Sequence, residues 1–375
     1  MDNTYTDRRR QTRSSVYHHL YDAEGFCTRQ SVAQALGLSL PTIYQNLNEL
    51  VESGLVRYNG EAESTGGRRA AGVEIVPDAR IAIGVSVTGH HLRFLAADLR
   101  LHEIAYRSVS YTTFGTELTE VAETIARELE SFIDGQEIDR SRLLGVCIAV
   151  PGVLTADHRR VMFAPTLHQT DADLSALYER IPYPSYVEND ATSSGHAEWF
   201  VRGARGNLAY LSLEGGVGGS ALIGSAPYHG SNGRSCEFGH MCLVPGGLPC
   251  SCGKRGCLEA YCSPDRVSKD LGVSLGEFFE ELGRHNPEYG LLWTDVMQHL
   301  AVGVSNIRMA FDCDVVLGGE MSQYMPDYLP LLRKYVSAND PFSDNADYVS
   351  LSVLGGHSVP LGAALHFISA FLDEV

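Results

Sequence analysis

Five of the nine cysteines fall between Cys236 and Cys257, in the run Cys236-Glu-Phe-Gly-His240-Met-Cys242 and the glycine-rich run Cys250-Ser-Cys252-Gly-Lys-Arg-Gly-Cys257-Leu-Glu259. No other feature restricts the fold so much, because thiols spaced among glycines and polar side chains make a poor apolar core and must close around something else. His240, Cys250, Cys252 and Cys257 offer one imidazole and three thiolates. A structural Zn2+ prefers that tetrahedral N/S set, with every position filled by protein and none open for Lewis-acid chemistry. Gly246, Gly247, Gly253 and Gly256 let the loop bend closely around an ion. Cys236, Cys242 and Cys262 lie nearby, so spacing alone leaves the choice of ligands open, with reduced thiols packed in a loop as the alternative.

The chain has 375 residues, 44 % of them hydrophobic, enough for more than one core. At one domain per ~150 residues, two or three domains are expected. There is no apolar run of about 18 residues, and the start, MDNTYTDRRRQTR, is polar and basic with no apolar segment behind it. A cytoplasmic protein with no membrane partner is therefore expected, and in that reducing setting grouped cysteines hold metal rather than form disulfides. The formal net charge of -17 is unevenly spread. Residues 1–69 hold eight arginines and no lysine against eight acidic side chains, whereas the remaining 306 residues hold 21 basic and 38 acidic ones. Only the N-terminal part tolerates a polyanion. Within it positive charge gathers at both ends, in Arg8-Arg9-Arg10 with Arg13 and in Arg68-Arg69. Taken alone, such a short arginine run reads as a solvated tail.

Between Ser14 and Leu55 the apolar spacing is helical three times over. Val16 and Leu20 mark a first helix, and Thr28-Arg-Gln-Ser31 caps a second that carries Val32, Ala33 and Leu36 and ends at Gly37. After the turn Gly37-Leu38-Ser39 a third helix opens with Ser39 as N-cap and Pro41 in the first turn, where a missing N–H costs nothing. Its expected buried face is Leu40, Ile43, Leu47, Leu50 and Val51; its outer face is Pro41, Thr42, Gln45, Asn48 and Glu49, with Tyr44 at the edge. This is a helix-turn-helix layout in which Thr42 and Gln45 sit where a recognition helix meets base edges, and glutamine reads adenine through two hydrogen bonds. Two short strands, one on each side of a polar stretch ending in Arg68-Arg69, make a wing whose arginines reach phosphates or a narrow minor groove. Double-stranded DNA is the expected partner, contacted by Pro41, Thr42, Tyr44, Gln45, Arg68 and Arg69. A helical dimerisation domain is the competing reading.

From Ile81 the pattern changes to period two and to continuous apolar runs. Strands are expected at Ile81–Val87, Leu92–Leu99 and Ile104–Tyr111, then a helix from about Glu117 to Ile133 and a strand at Leu143–Val150. Tyr186–Glu188 forms another strand, followed by a helix through Phe200. A second set begins with a strand at Ala209–Leu213, the glycine-rich Gly215–Gly219 and Ser220–Gly224, and ends with a helix near Leu291–Ala310, a strand at Asp314–Leu317 and a helix at Leu361–Leu372. The expected organisation is a winged helix-turn-helix domain at 1–78 and a two-lobed α/β domain at 79–375, with lobes at about 79–190 and 191–360 and a last helix at 361–372. Ligands tend to bind in the cleft between such halves.

Val150-Pro151-Gly152, Glu188-Asn189-Asp190, Glu237-Phe-Gly-His240, the Cys-x-Cys-Gly-x-x-Gly-Cys-Leu-Glu run at 250–259 and Leu317-Gly318-Gly319 together closely resemble the ROK family of sugar kinases and transcriptional repressors. These motifs span about residues 80–370, and the winged head in front of them points to the repressor branch. The resemblance implies an actin-like α/β fold of two lobes, homodimers or homotetramers, and a sugar or sugar derivative in the cleft. It implies structural Zn2+ on His240, Cys250, Cys252 and Cys257, and sugar contacts from Asn189, Asp190, Glu237, His240 and Glu259. His240 then serves two tasks, one ring nitrogen on the metal and the other donating to a hydroxyl, so that the metal fixes the ring which the sugar reads.

In the family's kinases the position of Asp190 is the general base for the attacking hydroxyl. Phosphoryl transfer also needs glycine loops and a metal-bearing acid to position and neutralise the phosphates. The family's first phosphate motif, Asp-x-Gly-Gly-Thr, falls on Ser86-Val87-Thr88-Gly89-His90, which lacks the acid, one glycine and the threonine. In the second, Gly-Thr-Gly becomes Glu214-Gly215-Gly216, with a carboxylate beside the place of a triphosphate. Gly216, Gly218 and Gly219 serve equally well as a tight strand turn. The chain is therefore expected to be no enzyme, with Asp190 a vestigial base, but a sugar-responsive transcriptional repressor whose paired heads read an inverted-repeat operator. An ATP-dependent sugar kinase with an appended DNA-binding domain is the alternative.

Overall fold

The computed structural model describes residues 2–23, 27–61, 71–113, 116–164, 167–342 and 344–375. The N-terminal unit consists of α1 (Asp2–Asp22), β1 (Cys27–Thr28), α2 (Arg29–Leu36), α3 (Leu40–Glu52), β2 (Val56–Glu61) and β3 (Ala71–Ile75). Thr28 and Ser31 exchange side-chain and backbone hydrogen bonds at the start of α2, and Gly37 ends that helix at a left-handed φ of 64°. Ser39 caps α3 two residues later. β2 and β3 pair antiparallel, with β1 on the far side of β3, which is the expected wing; Arg68 and Arg69 lie outside the described residues.

Two expectations for this unit change. The buried stripe on α3 is Ile43, Asn46, Leu47 and Leu50, one face at helical spacing, whereas Leu40 lies beyond its end at 48 % exposure and Val51 is half-buried. Asn46 is tolerated there because its amide donates to the Thr42 carbonyl at 2.8 Å. The arginine run is no tail: α1 is one continuous helix, and Arg9 and Arg13 pair with Glu49 of α3. That contact ties the basic face of α1 to the second helix of the DNA-reading motif.

The first lobe contains β4 (Ile81–Val87), β5 (His91–Asp98), β6 (Glu103–Ser110), α4 (Leu118–Gly135), β7 (Leu143–Val150), β8 (Val153–Leu154), β9 (Arg160–Ala164), β10 (Gln169–Asp173), α5 (Ser175–Arg180) and β11 (Ser185–Asn189), and α6 (Asp190–Val201) leads out of it. Its sheet runs β11-β7-β4-β5-β6, with β11, β7 and β4 parallel, so β7 and β11 both deliver their C-terminal residues to one edge of the cleft. A small sheet, β10-β9-β8, covers that edge. It was not expected, because its strands are only two to five residues long and do not follow an alternating pattern.

The second lobe comprises β12 (Leu208–Leu213), β13 (Val217–Ile223), β14 (Ala226–Pro227), α7 (Glu259–Cys262), α8 (Pro264–Val267), α9 (Leu275–Gly283), α10 (Pro287–Phe311), β15 (Asp314–Gly318), α11 (Leu329–Ser337) and β16 (Val349–Leu351); α12 (Ser358–Glu374) closes the chain. Its sheet runs β14-β13-β12-β15-β16. Gly218 and Gly219 pair with Ser212 and Leu211 inside β13, so the glycine-rich stretch is a hairpin turn at Glu214–Gly216 followed by strand, not a loop.

The last helix does not stand apart after the second lobe. α12 packs on β4 and β7 of the first sheet and, on its other side, against α6, which lies on β12 and β13 of the second. Gly362 lets the two helices approach so closely that a Cβ at that position would stand 1.7 Å from the Ser193 carbonyl oxygen. The C-terminal end of α12, with Leu365, Ile368, Leu372 and Val375, shares one apolar core with Val16, Tyr17 and Leu20 of α1 and with Leu99 and Leu101. Polar contacts secure the same junction: the Tyr21 hydroxyl donates to the Leu99 carbonyl at 2.6 Å, and Arg100 donates to the Tyr21 carbonyl at 2.9 Å.

Candidate functional site

On the head, Pro41, Tyr44 and Gln45 are exposed and Thr42 is half-buried. The Thr42 hydroxyl lies 2.8 Å from Ser39 Oγ, so it serves the helix cap as well as the outer face. Arg29, at the first position of α2, holds its guanidinium 5.6 Å from the centre of the Tyr44 ring and 5.7 Å from that of Tyr58. It joins the helical face to the wing strand. A single arginine in a capped turn has no spacing signal, and so it was not picked out from sequence.

Behind the cleft, the chain from His240 to Glu259 folds into a knot. His240 ends a 3-10 turn (Phe238–His240), Cys250 accepts the turn that returns from Gly253, and Cys242 and Cys257 bridge as an antiparallel pair. Gly256 is required there, since at φ 84° a Cβ would stand 1.8 Å from the Val244 carbonyl oxygen. The fold brings together His240, Cys250, Cys252 and Cys257, one ligand atom of each within 4.8 Å of the others. Cys250 Sγ is 3.6 Å from His240 Nδ1, and Cys252 Sγ is 3.8 Å from Cys257 Sγ. A tetrahedron with metal–sulfur bonds of about 2.3 Å has S···S edges of about 3.8 Å, so the set fits such an ion as it stands. Nδ1 is the nitrogen turned to the thiols, which leaves Nε2 for another partner.

The expected sugar residues meet where β11 runs into α6 and where the 3-10 turn faces them. Asn189 caps α6, its Oδ1 accepting from Thr192 N–H at 2.8 Å, while its amide donates to the Gly152 carbonyl at 3.0 Å. The Val150-Pro151-Gly152 turn is thereby tied to the cleft. Asp190 follows as the first residue of α6, with Glu214 and Glu237 close enough to disfavour its charge. Glu259 is turned toward the knot: it accepts from Ser251 Oγ at 2.5 Å and from Val217 N–H at 3.2 Å, linking the metal loop to the hairpin of β12 and β13. Asn189 and Glu237 line a cavity together with Gly152, Thr192, Gly219, Ser235 and three residues not expected from sequence, His158, Glu188 and His229.

Burial sets the protonation of this region. Desolvation pushes Asp190 up to about 7 and Glu188 up to about 8. The folded chain thus keeps protons that the unfolded chain has released, and stability falls as the pH rises through these values. The histidines act in the opposite direction. Burial lowers His158 and His229, and His196 and His366 fall to about 4. Unfolding then takes up protons below about 6.5, and stability falls as the pH drops. Between about pH 4.5 and 6.5 the two effects oppose each other, and above about pH 6.5 only the carboxyl effect remains. Without metal or ligand the melting temperature is therefore expected to fall from about pH 6.5 to 8. In melting curves recorded over that range Glu188→Gln reduces the fall; a melting temperature that rose from about pH 6.5 to 8 would contradict this.

At the positions of the two phosphate motifs that the resemblance implies, Ser86 is buried at the end of β4, and Glu214, just after β12, accepts at its Oε2 from the Glu320 N–H just after the neighbouring strand β15 at 2.8 Å. That N–H follows Gly318-Gly319 and opens a 3-10 turn, a position that favours anions. Here the chain fills it with its own carboxylate, whose proton affinity burial raises.

Head, twin lobes and cleft define a sugar-kinase-type α/β protein carrying a winged DNA-binding unit. The chain belongs to the ROK family, whose sequence profile matches residues 82–369, and a winged helix-turn-helix DNA-binding profile matches residues 9–57. It is 27 % identical over 360 residues to the xylose repressor of Bacillus subtilis strain 168, covering 93 % of this chain and 92 % of that protein. A glucokinase of Halalkalibacterium halodurans is 26 % identical over 243 residues, 58 % of this chain and 74 % of the glucokinase. Among solved structures, a ROK family transcriptional regulator that is a homolog of the E. coli MLC protein superposes with a TM-score of 0.78 at 18 % identity, covering 98 % of this chain and 97 % of that one. No helix among the described residues is long and apolar enough to cross a membrane.

Proposed function

We propose that this protein is a sugar-responsive transcriptional repressor. Its heads, residues 1–78 in a symmetric dimer or tetramer, grip an inverted-repeat operator, and its kinase-derived cleft, within residues 79–375, senses a sugar without phosphorylating it. The observation that carries the sensor reading is the Glu214–Glu320 contact, which supports it because the resemblance assigns Glu214 to the second phosphate loop, where a fixed carboxylate would repel a triphosphate. The match to a repressor along nearly the whole chain supports the same reading.

In this mechanism Asn189, Asp190 and Glu237 pair with sugar hydroxyls, and His240 donates from Nε2 while Nδ1 faces the knot. His240, Cys250, Cys252 and Cys257 would hold Zn2+, which supplies structural stiffness and fixes that ring. The coupling element is the pair α6 and α12. α6 begins at Asp190, α12 packs along it, and the far end of α12 shares the core of α1. A sugar that favours one lobe arrangement by about 1–3 kcal/mol shifts the heads by this route.

Operator binding measured against a panel headed by xylose and glucose, beside a coupled assay with ATP and Mg2+, tests the proposal. Loss of operator affinity without phosphorylation supports it. Sugar turnover that disappears in Asp190→Asn would establish the kinase instead. The junction makes its own prediction. Tyr21→Phe combined with Arg100→Ala is expected to leave sugar affinity unchanged and to cut the sugar-induced change in operator affinity about 5-fold, the low end of allosteric coupling. Calorimetry and operator titration on the same samples check both halves.

A further inference from the structure

Beside Asn189 and Glu237, the cavity wall carries a second group of metal-ligating side chains, made of His158, Glu188 and His229. They come from three separate places: the turn between β8 and β9, the penultimate residue of β11, and the segment after β14. One ligand atom of each lies within 4.8 Å of the other two. Glu188 Oε1 is 3.7 Å from His158 Nδ1, and Glu188 Oε2 is 3.8 Å from His229 Nε2. Both separations exceed hydrogen-bond length, so the three side chains do not bond one another; Glu188 Oε1 accepts instead from the Asn189 N–H at 2.8 Å, which leaves Oε2 for a ligand.

The local chemistry favours a cation among the three. His158 Nδ1 lies 2.9 Å from the Val187 carbonyl, which can only accept, so the proton is on Nδ1 and Nε2 carries the lone pair. A backbone carbonyl on one nitrogen and a metal on the other is the usual arrangement for a ligating imidazole. His158 and Glu188 are buried, and His229 is half-exposed and turns an edge toward the His158 ring at 5.2 Å. Burial raises the proton affinity of Glu188 and lowers that of both histidines. Both imidazoles are thus kept in the neutral form that ligates, and Glu188 gives up its proton when a cation binds.

We infer that His158, Glu188 and His229 form a binding site for one borderline divalent transition-metal ion, distinct from the thiolate knot and opening into the effector cavity. Two imidazoles and one carboxylate suit the zinc, cobalt, nickel and copper class rather than Mg2+ or Ca2+, which take oxygen ligands. Three protein ligands leave coordination positions open, and these face the space shared with Asn189 and Glu237. The inference does not depend on the repressor reading, since the site is defined by its ligands alone.

Full-length protein with zinc already in the knot is titrated with Co2+ and followed by absorption. The expected result is one further equivalent per chain with weak visible bands and no thiolate-to-metal charge-transfer band in the near ultraviolet. His229→Gln, at a half-exposed position that leaves the fold intact by near-ultraviolet circular dichroism, is expected to weaken this binding at least ~10-fold, as is His158→Gln. The inference is overturned if cobalt binds only with charge-transfer bands, which places it in the knot. It is equally overturned if no further equivalent binds, or if both variants bind as the wild type does.

Discussion

Cys257→Ser is expected to empty the knot of metal and to lower the melting temperature by on the order of 10 °C, corresponding to a loss of about 3–5 kcal/mol. The size follows from where the knot is attached. Cys257 is buried, and Leu258, Tyr261 and Cys262 directly after it belong to the core of the second lobe with Phe238, Leu300 and Val304. The Tyr261 hydroxyl also accepts from Leu248 N–H at 2.9 Å, tying the loop before Cys250 to the same core. Losing the ion leaves two thiols and an imidazole crowded together without a partner, and the slack passes through Leu258 into the packed interior. Elemental analysis and thermal melting measure the two halves. Cys242→Ser is the control, because Cys242 is exposed and stands outside the ligand group, and it is expected to keep its metal. If Cys242→Ser lost metal and Cys257→Ser retained it, the ligand set proposed for the knot would be wrong.

The second large effect is expected at Asp190. Asp190→Asn should weaken sugar binding by about 10- to 100-fold, the value of one or two hydrogen bonds to a charged acceptor at roughly 1.5–3 kcal/mol. Operator binding without sugar should remain as in the wild type, because Asp190 stands at the start of α6, away from the residues of the head. The wild-type affinity should also depend on pH. With Asp190 pushed up to about 7, its charged form, the stronger acceptor, grows as the pH rises from 6 to 8, so sugar affinity increases over that range while Asp190→Asn shows no such rise. Calorimetric titration with the active sugar at several pH values measures this, and equal slopes for the two proteins would remove Asp190 from the pocket.

Much of the site was legible before the fold was known. The knot was legible as a cluster because ligands close in sequence lie close in space, but spacing left Cys236, Cys242 and Cys262 as rivals, and only the family resemblance singled out His240, Cys250, Cys252 and Cys257. The helix-turn-helix was legible from Thr28, Gly37, Ser39 and Pro41, whose effects act within one helical turn. Leu40 was misplaced because an apolar side chain at a helix start carries the right period without saying whether a neighbour will cover it. Asn189 and Glu259 were expected to face a sugar, but each has structural partners as well, Thr192 and Gly152 for the first, Ser251 and Val217 for the second.

By itself the sequence determined the elements, the group of candidate metal ligands, the winged head and the departures from the family's phosphate motifs, since each rests on residues within a few positions of one another. Only the tertiary structure decided that α12 returns from the second lobe to the first and ends in the core of the head. It alone brought Glu214 to the Glu320 amide, and His158 and His229 to Glu188. Those contacts join residues far apart in the chain, and they depend on strand order and helix packing, which no local spacing encodes.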